Sequence, residues 1–198
     1  MQLHHRRWLV AGLVVGMGIV AGSGPSTAAD ADKELQEAVR KIGSAIEKKD
    51  AAEAKKQAAA LAKKTDTDME SVMHLFSPRL KGGLGVGPKA DEVKPDGIEK
   101  KLQEMVKKPL AQDQLEGEAA ALQQMGVDMA AICEVVTVLV PDKGDAAKKK
   151  KEWVAMTAEL REAGLQLAAA AKDKKADPLH QAVRKAHASC EKCHEVFR

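Results

Sequence analysis

The sequence predicts an all-α protein: an antiparallel four-helix bundle with a long crossover loop containing glycine and proline. Three observations carry this. Alanine and lysine dominate, with Glu, Leu and Gln behind them, and all five favour helix. Aromatic residues make up only 2% of the 198, with no Tyr, where a β-sandwich or barrel would draw on aromatic and β-branched side chains. Apolar residues also recur at spacings of three, four and seven in several separate stretches. The 44% hydrophobic and 31% charged proportions exclude wholesale disorder. Thirty-two basic against 29 acidic residues leave +3, too balanced a charge for a nucleic-acid binder.

The first stretch lies outside the predicted fold. His4, His5, Arg6 and Arg7 make a basic start, and residues 8–21 form an apolar run of about 14, short for a membrane span of roughly 20. Ser26, Thr27, Ala28 and Ala29 then supply the small residues that a signal peptidase reads. Residues 1–29 are therefore expected to be a cleaved secretory signal peptide, with an uncleaved membrane anchor as the alternative. Arg6-Arg7 hints at twin-arginine export. Cleavage after Ala29 leaves 169 residues and lowers the charge to +1, since both arginines go. The expected product, residues 30–198, is exported to the periplasm with no stable membrane span.

Each predicted helix has its own signal. In 31–48, Leu35, Val39, Ile42 and Ile46 form one apolar stripe. Asp50 is placed to cap an alanine-rich helix over 51–61. Over 113–140, Leu115, Leu122, Met129 and Val136 repeat every seven residues, beside Met125, Ile132 and Leu139, until Pro141 and Gly144 break the chain. Over 146–172, Trp153, Met156, Leu160, Ala163, Leu167 and Ala170 alternate by three and four. Asp177 followed by Pro178 reads as an N-cap with proline at the first helical position. Leu179, Val183, Ala186, Cys190, Cys193 and Phe197 make the final stripe. Helices with seams of this width pack best as a bundle.

Residues 65–110 read differently. Glycines at 82, 83, 85 and 87, followed by Pro88, exclude regular helix, and Pro95 and Pro109 bracket one short helix over 97–108. A phosphate-binding loop would need a following Gly-Lys-Ser/Thr and a preceding strand, and neither is present. Loop 82–87 is therefore expected to be a flexible crossover. Lys148, Lys149, Lys150 and Lys151 read as the solvated start of a helix, or as a docking patch for an acidic partner.

The most informative residues are the last nine. Cys190-Glu191-Lys192-Cys193-His194 is a C-x-x-C-H sequence, the attachment signature of c-type haem. Residues three and four apart share a helix face, so both thiols can add across haem vinyl groups while His194 reaches the iron. Other chemistries use cysteines too. A thioredoxin-like redox pair needs a strand-then-helix context. A disulfide within one helix is strained. Zinc would need two more ligands, with only His180 and His187 near. Cys133, beside Ile132 and Val135, reads as a buried core thiol.

The ending, C-x-x-C-H followed by Phe197 and Arg198, and the helix–turn–helix over 146–198 resemble the class II cytochromes c, the cytochrome c-prime family. The resemblance implies one covalent haem c per chain, held by Cys190 and Cys193, with His194 as axial iron ligand. It also implies electron transfer or small-gas binding, and a homodimer paired through the first two helices. This chain is longer than the family's usual length and its first helix lacks the methionine that low-spin members use as sixth ligand. Met125, Met129, Met73, His74, Met69 and Met156 are the alternatives, beside an empty apolar distal site.

With a sulfur sixth ligand the protein is expected to carry single electrons to a redox partner protein. With an open site it would bind a diatomic gas such as NO or CO. A third reading is a non-haem periplasmic helical adaptor whose Cys190 and Cys193 form a disulfide. No paired carboxylates or nucleophile–base set emerges, so the expected protein is not an enzyme.

Overall fold

A computed structural model describes residues 28–64, 67–90, 92–140 and 149–197. The expected leader up to residue 27, the break at Pro141 and Gly144, and Lys148 lie outside these. The described chain is all-α: seven α-helices, one short 3-10 turn and no strand. The helices are α1 (Ala28–Glu47), α2 (Ala51–Leu61), α3 (Met69–His74), α4 (Ile98–Lys107), α5 (Gln112–Val138), α6 (Lys150–Lys172) and α7 (Ala176–Phe197).

The central element is α5. From Met125 to Val136 every residue is buried, including Asp128 and Glu134, so the helix is covered on all sides rather than along one stripe. It packs against α1, α2, α3 and α6, while α7 packs against α6 and α4. Side-chain pairs give the directions. Arg40 meets Asp128 at 3.8 Å and Gln123 donates to Glu47 at 3.4 Å, so α1 and α5 run antiparallel. Arg161 to Glu134 at 2.5 Å, with Trp153 to the Val136 carbonyl at 3.0 Å, sets α6 antiparallel to α5. Lys185 to Gln166 and Lys192 to Glu159 do the same for α7 and α6.

Glycine sets the closest of these approaches. A Cβ on Gly126 would stand 2.5 Å from the Gly164 carbonyl oxygen, and one on Gly164 would stand 2.8 Å from the Gly126 oxygen. Side chains at either position would force α5 and α6 apart. Trp153 closes the other end of this pair. Val136 lies in the last turn of α5, where carbonyls lack intrahelical donors, and the buried indole supplies one.

Several expected boundaries hold. Helix α2 spans 51–61 with the Asp50 carboxylate accepting from the Glu53 N–H at 3.0 Å. The start of α7 differs. The helix opens at Ala176, so Asp177 and Pro178 sit in its first turn, where a missing N–H costs no intrahelical bond. Lys150 and Lys151 open α6 exposed to solvent.

Residues 67–90 and 92–97 also hold more structure than the sequence suggested. Asp68 caps α3 by accepting from the Ser71 N–H at 2.7 Å. Pro78 then leads into a 3-10 turn over Arg79–Lys81. The expected flexible crossover is instead a packed loop: residues 83–87 are buried throughout. Arg79 holds it, donating to Asp96 at 2.6 Å, to the Lys89 carbonyl at 3.0 Å and to the Gly87 carbonyl. Asp96 in turn accepts from the Val86 N–H at 2.9 Å, and Arg40 of α1 reaches the Leu84 carbonyl at 3.2 Å. These partners satisfy backbone groups that a buried loop would otherwise leave unpaired. On α4, Lys101 is buried yet paired, with Glu118 of α5 at 2.8 Å and the Lys94 carbonyl at 2.9 Å.

Candidate functional site

The C-x-x-C-H residues ride on α7, and two contacts fix that helix. Leu179, Ala182, Val183 and Ala186 bury one face. At the C-terminal end, the Phe197 ring meets Trp153 edge-to-face, with centroids 4.9 Å apart and planes at 83°. Trp153 is itself tied to α5, so the motif lies between two anchored segments.

Cys190, Cys193 and His194 together line a cavity of about 770 Å³. Cofactor sites run from about 300 to 1,000 Å³, and this cavity falls within that range, with polar and apolar side chains in about equal number along its lining. Ile132, Cys133 and Val136 of α5 form its floor, with Met156 and Leu160 of α6 beside them. Helix α3 contributes Met73 and His74, the latter exposed, and α4 contributes Leu102. Exposed Glu70, Glu99, Glu191 and Glu195 stand among the lining residues.

The sequence-predicted ligands separate cleanly. Met73, His74 and Met156 line the cavity. Met125 and Met129 are fully buried in the core under α5, and half-buried Met69 packs against that core; none of the three lines the cavity. Their apolar spacing was the signal of core filling. His187 lines the cavity too, its Nδ1 3.3 Å from Glu191 on the same helix. Cys133 is buried as expected, and it also faces this cavity, which its apolar neighbours in the sequence did not reveal. Phe76 and Leu102 likewise line it from the 65–110 stretch, where no periodicity pointed to a site.

All three cysteines are free thiols. Burial pushes the Cys190 thiol up to about 12, with the charges of Glu99, Cys193 and Glu191 adding to the effect. Burial also raises Cys193, and raises Cys133 far above the ordinary range. Redox-active thiols of the thioredoxin type need the opposite, a lowered value and a cationic neighbourhood. Among the described residues no three His, Cys, Asp or Glu side chains converge on one point, as a zinc site would require. The donor set here is two neutral thiols one helical turn apart, an adjacent imidazole and a roomy cavity whose α5 and α6 walls carry Ile132, Val136, Met156 and Leu160. That set fits covalent haem.

Compared with known proteins, the chain matches no family model, no curated protein and no solved structure.

Proposed function

We propose that this chain is an exported, periplasmic c-type cytochrome built on a four-helix bundle, with one covalent haem c, carrying single electrons to a redox partner protein. The observation that carries the reading is the shared cavity. Cys190, Cys193 and His194 line one cavity of cofactor size, with His194 exposed at its edge, and both thiols are unbonded. The bundle in this reading is α5, α6 and α7 with α4 against α7, while α1 and α2 cover the outer side of α5. Residues 1–29, with their basic start and apolar run, support export.

Bound there, haem would supply reversible one-electron chemistry at iron. The chain's own residues do the rest. Cys190 and Cys193 would hold the group permanently through thioethers, suiting a dilute exported protein. His194 would supply the proximal imidazole. Ile132, Val136 and Leu160 exclude water from the enclosed side, lowering the local dielectric that sets a reduction potential. In this reading the protein acts as a carrier rather than an enzyme.

The test is production of the full chain in a periplasm equipped for haem attachment. Expected is a haem band that survives denaturation and disappears in the Cys190→Ser, Cys193→Ser double variant. A colourless wild-type protein that folds normally would overturn the cytochrome reading and leave the adaptor.

A further inference from the structure

We infer that the groove between α1 and α6, over α5, binds a single-chain anionic amphiphile of the fatty-acid carboxylate class, with its head at the C-terminal ends of α1 and α6. The groove measures about 500 Å³ and shares no lining residue with the C-x-x-C-H cavity. Val127 of α5 lies on its floor, Ile46 of α1 on one wall, and Leu165 and Ala168 of α6 on the other. Ile46 and Leu165 are only half-buried, so apolar surface is left open to a ligand.

Charge is distributed unevenly along it. Both α1 and α6 run antiparallel to α5, so their C-terminal ends lie together. There Lys49 and Lys172 line the groove, both exposed, and neither has an ion-pair partner among the described residues. Exposed Glu47 stands with them and accepts from Gln123 at 3.4 Å, which leaves two cations against one carboxylate. Arg161 lies toward the other end, where Glu134 neutralises it at 2.5 Å.

Shape decides the occupant. From Arg161 to Lys172 the groove follows α6 for about 16 Å, at a helical rise of about 1.5 Å per residue. Spread over that length, its volume leaves a cross-section of about 30 Å². A helix with its side chains is about 10 Å across and needs about 80 Å², so an amphipathic partner helix is too wide to seat in it. An extended peptide would bring N–H and C=O groups that need partners, and helical walls keep their own backbone bonds closed. An alkyl chain brings none. It needs apolar contact along its length and cations at its polar end, and the groove supplies both.

Two positions allow clean variants. Lys49 has φ +59, left-handed, just past α1 where glycine is the usual residue, and the Asp50 N–H closes the turn on the Ala45 carbonyl at 2.9 Å. Lys49→Gly therefore removes the charge and suits the backbone. Ala169 lines the groove while exposed, so Ala169→Phe fills the space from the solvent side without entering the core.

The experiment titrates dodecanoate, below its micelle concentration, into the full chain by calorimetry, with helicity followed by circular dichroism. One saturable site is expected, weakened by added salt. Dodecyltrimethylammonium, with the same chain and the opposite charge, should bind about tenfold more weakly or worse. The Lys49→Gly, Lys172→Gln double variant should lose about tenfold in affinity, and Ala169→Phe should abolish binding, both with helicity unchanged. Lysines that only answer the dipoles of their helices would leave dodecanoate binding in the double variant at the wild-type level, and the inference would fail. No saturable binding, equal binding of the cationic probe, or unchanged binding in Ala169→Phe would also overturn it. So would a dimer in sedimentation that Ala169→Phe dissolves, since a second copy would then fill the groove.

Discussion

Asp128 offers the sharpest test of the packing. Its carboxylate sits wholly buried on α5, with Gln124 donating to one oxygen at 2.9 Å. The other oxygen has no hydrogen-bond partner, and Arg40 stays 3.8 Å away while bonding the Leu84 carbonyl. Burial outweighs the Arg40 charge and the Gln124 bond, and raises the carboxyl from 3.8 to about 6. A raised carboxyl favours the protonated fold. Its contribution is therefore fully present below pH 3.8 and is lost as pH rises through about 6. With each pH unit worth about 1.4 kcal/mol, the gap amounts to about 3 kcal/mol of destabilisation at neutral pH. Asp128→Asn removes the charge and keeps the shape, and Arg40, with a side chain 35% exposed, can be hydrated by solvent.

Urea unfolding of both proteins between pH 4 and 7.5 measures this directly. The variant should be more stable at neutral pH by about 1–3 kcal/mol, and the difference should shrink to near zero around pH 4. Other carboxylates cancel in the comparison. Asp68, for example, is held below its ordinary value by the Ser71 N–H, and so acts in the opposite direction in both proteins. A variant less stable at pH 7, or a difference that does not change with pH, would refute the argument that burial governs this group.

Three further outcomes follow from the same contacts. Gly126→Ala would drive a methyl into the Gly164 backbone, costing about 1–3 kcal/mol, read as a fall in Tm of about 2–4 °C per kcal/mol. Trp153→Phe leaves the buried Val136 carbonyl without its donor, so chemical denaturation should show a loss of about 1–3 kcal/mol. Arg79→Met deprives the buried loop of its side-chain donor, and amide exchange should accelerate across residues 82–87 while α5 stays protected.

Helices with a one-sided stripe are legible in the residue order: α1 and α6 each bury most of the stripe that their spacing names, and α7 buries the first half of its own, Leu179, Val183 and Ala186, with Cys190, Cys193 and Phe197 half-buried. Helix α3 is not, because six residues are too few to display a period, and only the Asp68 cap marks it. The packed loop is invisible there for another reason. Arg79 pairs with carbonyls and a carboxylate 8 to 17 residues away, and local sequence carries no trace of such partners.

By itself the sequence determined the helical class, the placement of most helices and the C-x-x-C-H residues on one helix face, since all three depend on chemistry within one or two turns. Only the tertiary structure decided which side chains share the cavity. On α5 the period marks Met125, Met129, Ile132 and Val136 alike as inward, and α5 is inward on every side. Which of them faces the cavity and which the core depends on where α3, α6 and α7 pack around it. That placement is set by contacts between distant parts of the chain: the Gly126–Gly164 approach, the Trp153 anchor and the Arg79-pinned loop.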